Sequence, residues 1–403
     1  MGFSCGIIGL PNSGKSTIFN ALTALCVAAQ PYPFCTIEPN VGIVPVPDAR
    51  LVHLARLVKP EKVTPTSIEF VDIAGLIKDA HKGEGLGNKF LGHIRAVDAI
   101  AHVVRCFKAE NIPHVYACID PARDADVVET EIVISDLEIV EERLGKLERL
   151  AKVSREKHGE EQRVLLKIKE TLSREEFLNS KSFTVEEEEL VRSFGLITSK
   201  PLFYVANIDE RDVGSPEPGC FLPLVDFRRL TPGNLPSEHG EREGEAGYPL
   251  AGGALPREGA TRAPVMAWRG RPVVPICGRL EEELASLPPE EIGPFMELYD
   301  MKERGIESVV TVGYAILDLI TFYTLVGTEL RAWTIPKHTS AYAAAGKIHS
   351  DMQRGFIKAE VISYETFVQC GSEHAAREKG LMSIEGKEYI VKDGDVLHIR
   401  FNI

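Results

Sequence analysis

An unbroken Gly9-Leu-Pro-Asn-Ser-Gly14-Lys15-Ser16 constrains this chain more than any other stretch in it. The apolar run Cys5 to Ile8 before it reads as a buried strand, and TIFNALTAL after it is apolar at helical spacing. Strand, glycine-rich loop and helix in that order specify a P-loop. Its glycines let backbone N–H groups turn inward around phosphates, and the helix N-terminus adds partial positive charge. In that setting Lys15 reaches the β- and γ-phosphates and Ser16 ligates Mg²⁺. The expected fold class is α/β, a doubly wound sheet of the P-loop NTPase kind.

A second motif sits where such a sheet needs it. In SIEFVDIAGLIKDA, the strand-like IEFVD ends in Asp72, and Asp72-Ile-Ala-Gly75 is a D-x-x-G switch. Asp72 would hold Mg²⁺ through water, and the Gly75 N–H would sense the γ-phosphate. Thr36, in PFCTIEPN, falls between the two motifs, where a switch threonine completes the Mg²⁺ shell. The residue after D-x-x-G orients the attacking water when it is glutamine, but here it is Leu76. Either hydrolysis is slow or another group supplies the orientation. KDAHKGEGLGNKFLGHI, with Gly83, Gly85 and Gly87, reads as a mobile switch loop. Candidate replacements for the glutamine are His81, His93, His102 and His114. His102 lies inside the apolar AIAHVVRCF and reads as a packed strand residue. His114 follows Pro113 in a loop and can swing toward a γ-phosphate. Each of these histidines, taken alone, also has a plain structural reading.

The third motif raises the question of which base is read. VANIDER follows the apolar PLFYV, where a guanine-reading chain carries Asn-Lys-x-Asp. That aspartate accepts from guanine N1–H and N2–H₂, and adenine offers neither donor. Here the frame is Asn207-Ile208-Asp209-Glu210. Glu210 carries an extra methylene and cannot hold the same fork, while Asn207 can pair with adenine N6 and N7. Ile208 replaces the lysine that packs along the ring, giving an apolar platform. Weakened guanine preference and tolerance of adenine follow.

The 403 residues call for two or three domains, with 44% hydrophobic and 26% charged residues as in ordinary globular protein. A net charge of -13 argues against wrapping nucleic acid, DNA included, through general basicity, while leaving room for a local basic patch on one face. Eight scattered cysteines without a C-x-x-C read as reduced cytosolic thiols. No stretch is long and apolar enough to span a membrane, so a cytoplasmic location is expected. Residues 121–199 read as antiparallel helices forming a coiled-coil-like arm, with Val128, Ile132, Leu137, Val140, Leu144, Leu147 and Leu150 as its stripe. Lys146, Arg149, Lys152, Arg155 and Lys157 make a basic face on it. Residues 211–270 are Gly/Pro-rich without helical period and read as a disordered surface insertion, with a translated frame error as the alternative. From about 317 to 403 short strands surround one helix.

GLPNSGKST, PFCTIEPN, FVDIAGLIK, GEGLGN, HVVRCF and the VAN..E loop together resemble the YchF or Obg-like ATPases. RAWTIP, AAGKIHSD, RGFIKAEVI and YIVKDGDVLHIRFN carry the resemblance to the C-terminus. It implies an Obg-type nucleotide domain (1–120 and 200–316), a helical arm (121–199) and a β-grasp TGS domain (317–403). It further implies ATP preference, Mg²⁺ dependence, slow hydrolysis, and association with the 70S ribosome, its large subunit and their RNA. The family's phosphate role falls on Asn12, Ser13, Gly14, Lys15, Ser16 and Thr17. Its Mg²⁺ ligands fall on Ser16 and Thr36, and its base loop on Asn207, Ile208 and Glu210. Its catalytic histidine falls on His114, and its switch cysteine on Cys35. Ser13 stands where the family has valine; both are small. A GTP-specific switch and a nucleotide-ordered scaffold without turnover are the competing readings.

Overall fold

The computed structural model describes residues 2–28, 37–38, 40–73, 86–116, 118–151, 159–178, 183–214 and 266–402. Among these residues the strands form two sheets. In the first, β1 (Phe3–Ile8) pairs in parallel with β5 (Ser67–Asp72) on one side and β6 (Ala99–Cys106) on the other. Next to β6 come β7 (Leu202–Ile208) and β9 (Arg271–Ile276), also parallel. Antiparallel strands close both edges: β3 (Val41–Pro45) with β2 (Ile37–Glu38) beyond β5, and β8 (Met266–Trp268) beyond β9. The Gly/Pro-rich stretch therefore ends earlier than its composition suggests, because 266–268 is already a strand. Its residues 215–265 lie outside the described residues.

Alternate residues of the central strands go to opposite faces, as the two-residue strand period requires. Ile8, Ile100, Val104, Leu202 and Tyr204 share a core with Ala125, Val128 and Ile132 of the helix Pro121–Ala151. Ile7, Ala101, Val103, Phe203 and Val205 face the helices Lys15–Ala28 and Gly305–Ala315, through Ile18, Leu22, Ile306, Val309 and Val310. Both faces are covered, so β6 and β7 are buried at every position. The arm's helices, Pro121–Ala151, Gly159–Leu172 and Val185–Phe194, carry the expected stripe inward, with Val140 and Ile132 fully buried. Lys146 spends its charge on Glu142, one turn back, at 2.7 Å. Gly87, expected in a mobile loop, is in the helix Leu86–Ala96. Phe90, Leu91, Ile94 and Val97 give that segment a helical stripe, and burial of the stripe overrides its glycines.

The second sheet runs in the order β13 (Ser383–Glu385), β12 (Phe356–Ser363), β14 (Asp395–Phe401), β10 (Leu319–Val326), β11 (Glu329–Pro336) and β4 (Lys62–Thr64). Four helical segments accompany it between Ala341 and Glu378, where the sequence pattern suggested one. Its last strand, β4, comes from the N-terminal third of the chain and pairs in parallel with β11. The helix before it, Ala49–Val58, lays Leu51 and Leu54 against Tyr323, Leu330, Ile362 and Phe367. Arg50 forks onto Asp393 at 2.8 and 3.2 Å, and the His53 ring meets the Tyr364 hydroxyl at 2.8 Å. The segment 49–64, expected within the nucleotide-binding unit, is thus built into the C-terminal sheet. Among the described residues no helix is long and apolar enough to cross a membrane.

Candidate nucleotide site

The parallel strands all point their carboxyl ends to one edge, where β1 leads into the glycine loop and β5 ends at Asp72. Register brings Ile7 beside Asp72 and Arg105 beside Asn207, so motifs far apart in sequence meet there. The loop's turn depends on two glycines at positive φ, Gly9 at 148° and Gly14 at 96°. A Cβ on Gly9 would run into the Val103 carbonyl, and one on Gly14 into the Asn207 amide. Asn12 is left-handed too (φ 62°), a conformation asparagine tolerates. Its Nδ2 donates to the Pro113 carbonyl at 3.0 Å.

Lys15 opens the helix Lys15–Ala28 and folds back so that Nζ donates to the Leu10 carbonyl at 2.8 Å. It is 7% exposed, and burial pushes its ammonium down to about 8, with the Asp72 carboxylate partly opposing the fall. Ser16 Oγ donates to Asp72 Oδ2 at 3.1 Å, while Asp72 Oδ1 is buried without a hydrogen-bond partner. An orphaned carboxylate oxygen beside a serine hydroxyl suits a divalent cation and its waters. Thr17 packs its methyl beneath Gly278. Thr36, Cys35, Gly75, Leu76 and His81 lie outside the described residues.

Ser13 is buried with its hydroxyl unpartnered, facing a cavity of about 10 Å³ shared with His102, His114 and Asp124. That is room for one water. His102 is the packed strand residue expected; burial, then Arg271 and Lys15, push it down to about 3, so it stays neutral. His93 is exposed in the last turn of the helix Leu86–Ala96.

His114 is not the free-swinging residue expected. Its Nε2 lies 2.7 Å from Asp124 Oδ2, and its Nδ1 meets the Tyr116 backbone, 3.0 Å from N and 2.7 Å from O. The side chain is only 8% exposed. Arg105 causes this order: its guanidinium, buried within β6, donates to the carbonyls of Phe107, Ala109, Ile112 and Pro113. Arg123 pairs with the other oxygen of Asp124 at 2.8 Å. Sequence reasoning missed both residues. Arg105 had a readable trace, since a charge inside an apolar strand needs partners. Asp124 looked like any acid in a helix's first turn.

The base loop differs from expectation as well. Asn207 is 5% exposed; its Nδ2 donates to the Ser13 carbonyl and its Oδ1 accepts from Gly278 N, each at 3.0 Å. Each amide atom spends one of its two hydrogen-bonding positions in this way, so Asn207 braces both loops with one N–H and one lone pair left for a purine edge. Ile208 is also buried, in the arm-side core, and presents no open platform. Glu210 stays near the surface, 3.5 Å from Arg279.

Phosphate, metal and base loops gathered at one edge of a parallel sheet are the arrangement of GTPase-type P-loop proteins. Residues 4–136 match the family described as 50S ribosome-binding GTPase. Residues 319–402 match YchF-GTPase_C, described as a protein of unknown function (DUF933). The ribosome-binding ATPases YchF of Haemophilus influenzae and Bacillus subtilis are each 43% identical over all of this chain and all of theirs. That of Escherichia coli O157:H7 is 42% identical over the same full span. The structure of the Schizosaccharomyces pombe YchF GTPase superposes with a TM-score of 0.80 at 32% identity, covering 99% of this chain and 97% of that one. The chain belongs to the YchF family.

Proposed function

We propose that this chain is a slow, Mg²⁺-dependent ATPase that works on the ribosome. The observation that carries the reading is the phosphate corner: Lys15 pre-folded onto Leu10, and Ser16 beside an Asp72 oxygen with no partner. Ser16 and Asp72, with Thr36, would hold a magnesium ion, which bound there neutralises phosphate oxygens. Lys15 exchanges the Leu10 carbonyl for the β- and γ-phosphates. Backbone N–H groups of the glycine loop would follow the phosphate chain, and the helix N-terminus adds its dipole. ATP preference is supported by Glu210, whose extra methylene spoils the guanine fork. Ribosome association is supported by full-length relatives named for ribosome binding. Titration of Mg-ATP against Mg-GTP tests the reading: ATP should bind at least as tightly. Tenfold tighter GTP, about 1.4 kcal/mol, points to a GTP switch instead.

His114 is proposed to orient the attacking water in place of the glutamine that Leu76 displaces, which requires its ring to release Asp124 or the Tyr116 backbone when nucleotide binds. It lies beside Leu10, Pro11 and Ser13 of the phosphate loop. His114→Ala should lower kcat and leave ATP affinity nearly unchanged, the pattern of a contact made only in the transition state. Wild-type turnover in that variant would make His114 structural. Intrinsic turnover should fall far below the about 1–100 s⁻¹ of kinases.

A further inference from the structure

Asn207 holds its two backbone partners, and other residues surround it at the base loop. Two segments do so. One is the turn Glu210–Asp212 that follows β7, with Asp209 as its cap. The other is Cys277-Gly278-Arg279, which joins β9 to the helix Gly278–Ser286. The Asn207 carbonyl holds the two together through Gly278 N. Across the gap Arg279 Nη1 stands 3.5 Å from Glu210 Oε2, and Arg279 Nε donates to Glu283 Oε1 at 3.2 Å.

We propose that Arg279 determines base specificity by pairing with Glu210. The inference rests on the proposed nucleotide site and adds a residue to it. Guanine presents two donors, N1–H and N2–H₂, that need a free carboxylate at this end of the slot. Glu210 is the carboxylate nearest that task, and Arg279 takes it. The Arg279 side chain is 72% exposed and that of Glu210 37%, so the effect is that of a surface ion pair. A second contact, from Arg279 Nε to Glu283, holds the same guanidinium from within its own helix.

The test is an equilibrium titration of Mg-ATP and Mg-GTP against the full chain and three variants: Arg279→Ala, Glu210→Gln and the double. Arg279→Ala should shift the affinity ratio toward GTP by about two- to fivefold, the scale of an exposed ion pair. The shift should vanish on the Glu210→Gln background and shrink as salt is raised. An unmoved ratio in Arg279→Ala, or an equal shift on the Glu210→Gln background, overturns the proposal. Because the readout is a change of ratio, it is independent of which nucleotide the unaltered chain prefers. Failure here and failure of the ATP reading are therefore separate results.

Discussion

Lys15→Ala should eliminate ATP hydrolysis, with kcat down by about 10²–10³ as when a single charge-stabilising donor is removed. The effect is large because the lysine is buried, so its charge acts through little water. Its loss also takes one donor from the Leu10 carbonyl, which keeps the Ser13 N–H at 3.3 Å. Triphosphate affinity should fall as well, since the γ-phosphate loses its cation. Single-turnover hydrolysis and calorimetric titration measure the two. Turnover near the wild-type rate would place the activity elsewhere. The same lysine gives the unaltered chain a pH signature. Its ammonium sits at about 8 when free. A bound triphosphate draws it back up, so above that pH binding takes up a proton. Affinity should hold on the acid side of about 8 and fall as pH rises through it, toward about tenfold per unit. Lys15→Ala should lack that slope.

Asn207→Ala should weaken ATP and GTP together. Removing the amide strands the Ser13 carbonyl and the Gly278 N–H, both bonded to it now. Each buried group left unsatisfied costs about 1–3 kcal/mol. The phosphate loop and the base-side loop lose their common brace, so the loss falls on the whole nucleotide. Thermal unfolding should show a lower midpoint, and titration a matched drop for both triphosphates. A drop confined to one of them would return Asn207 to a base-reading role. Asn207→Asp sharpens the contrast: a carboxylate keeps Gly278 N–H but faces the Ser13 carbonyl with an acceptor.

How much of this was readable in the chain follows from distance along it. The glycine loop is contiguous, and its strand, turn and helix have local causes, so Gly9 to Thr17 could be placed without coordinates. Asp72 at a strand end and the helical stripe of 128–147 were equally local. Orientation was not. The bracing role of Asn207 was hidden because its partners, Ser13 and Gly278, lie 194 and 71 residues away. His114 looked mobile because its loop has a proline and no periodicity. Its order comes from Arg105 and Asp124, whose side chains enclose the loop from a strand and a helix. Ile208 looked exposed by analogy with a lysine, but the strand's alternation turns it into the core.

The strand β4 and the helix ahead of it have a consequence for how the chain is made. Thr64 hydrogen-bonds to Glu329, 265 residues later, and Arg50 to Asp393, 343 residues later. At synthesis rates of about 5–20 residues per second, Arg50 waits roughly 15–70 s for its partner. For most of that interval Leu51 and Leu54 are out of the exit tunnel with Tyr323, Leu330 and Phe367 still unmade. Nascent protein therefore carries an apolar stripe that only the last fifth of translation can cover. A messenger cut short before β10 would leave that stripe uncovered permanently, a mark by which an unfinished copy differs from a finished one.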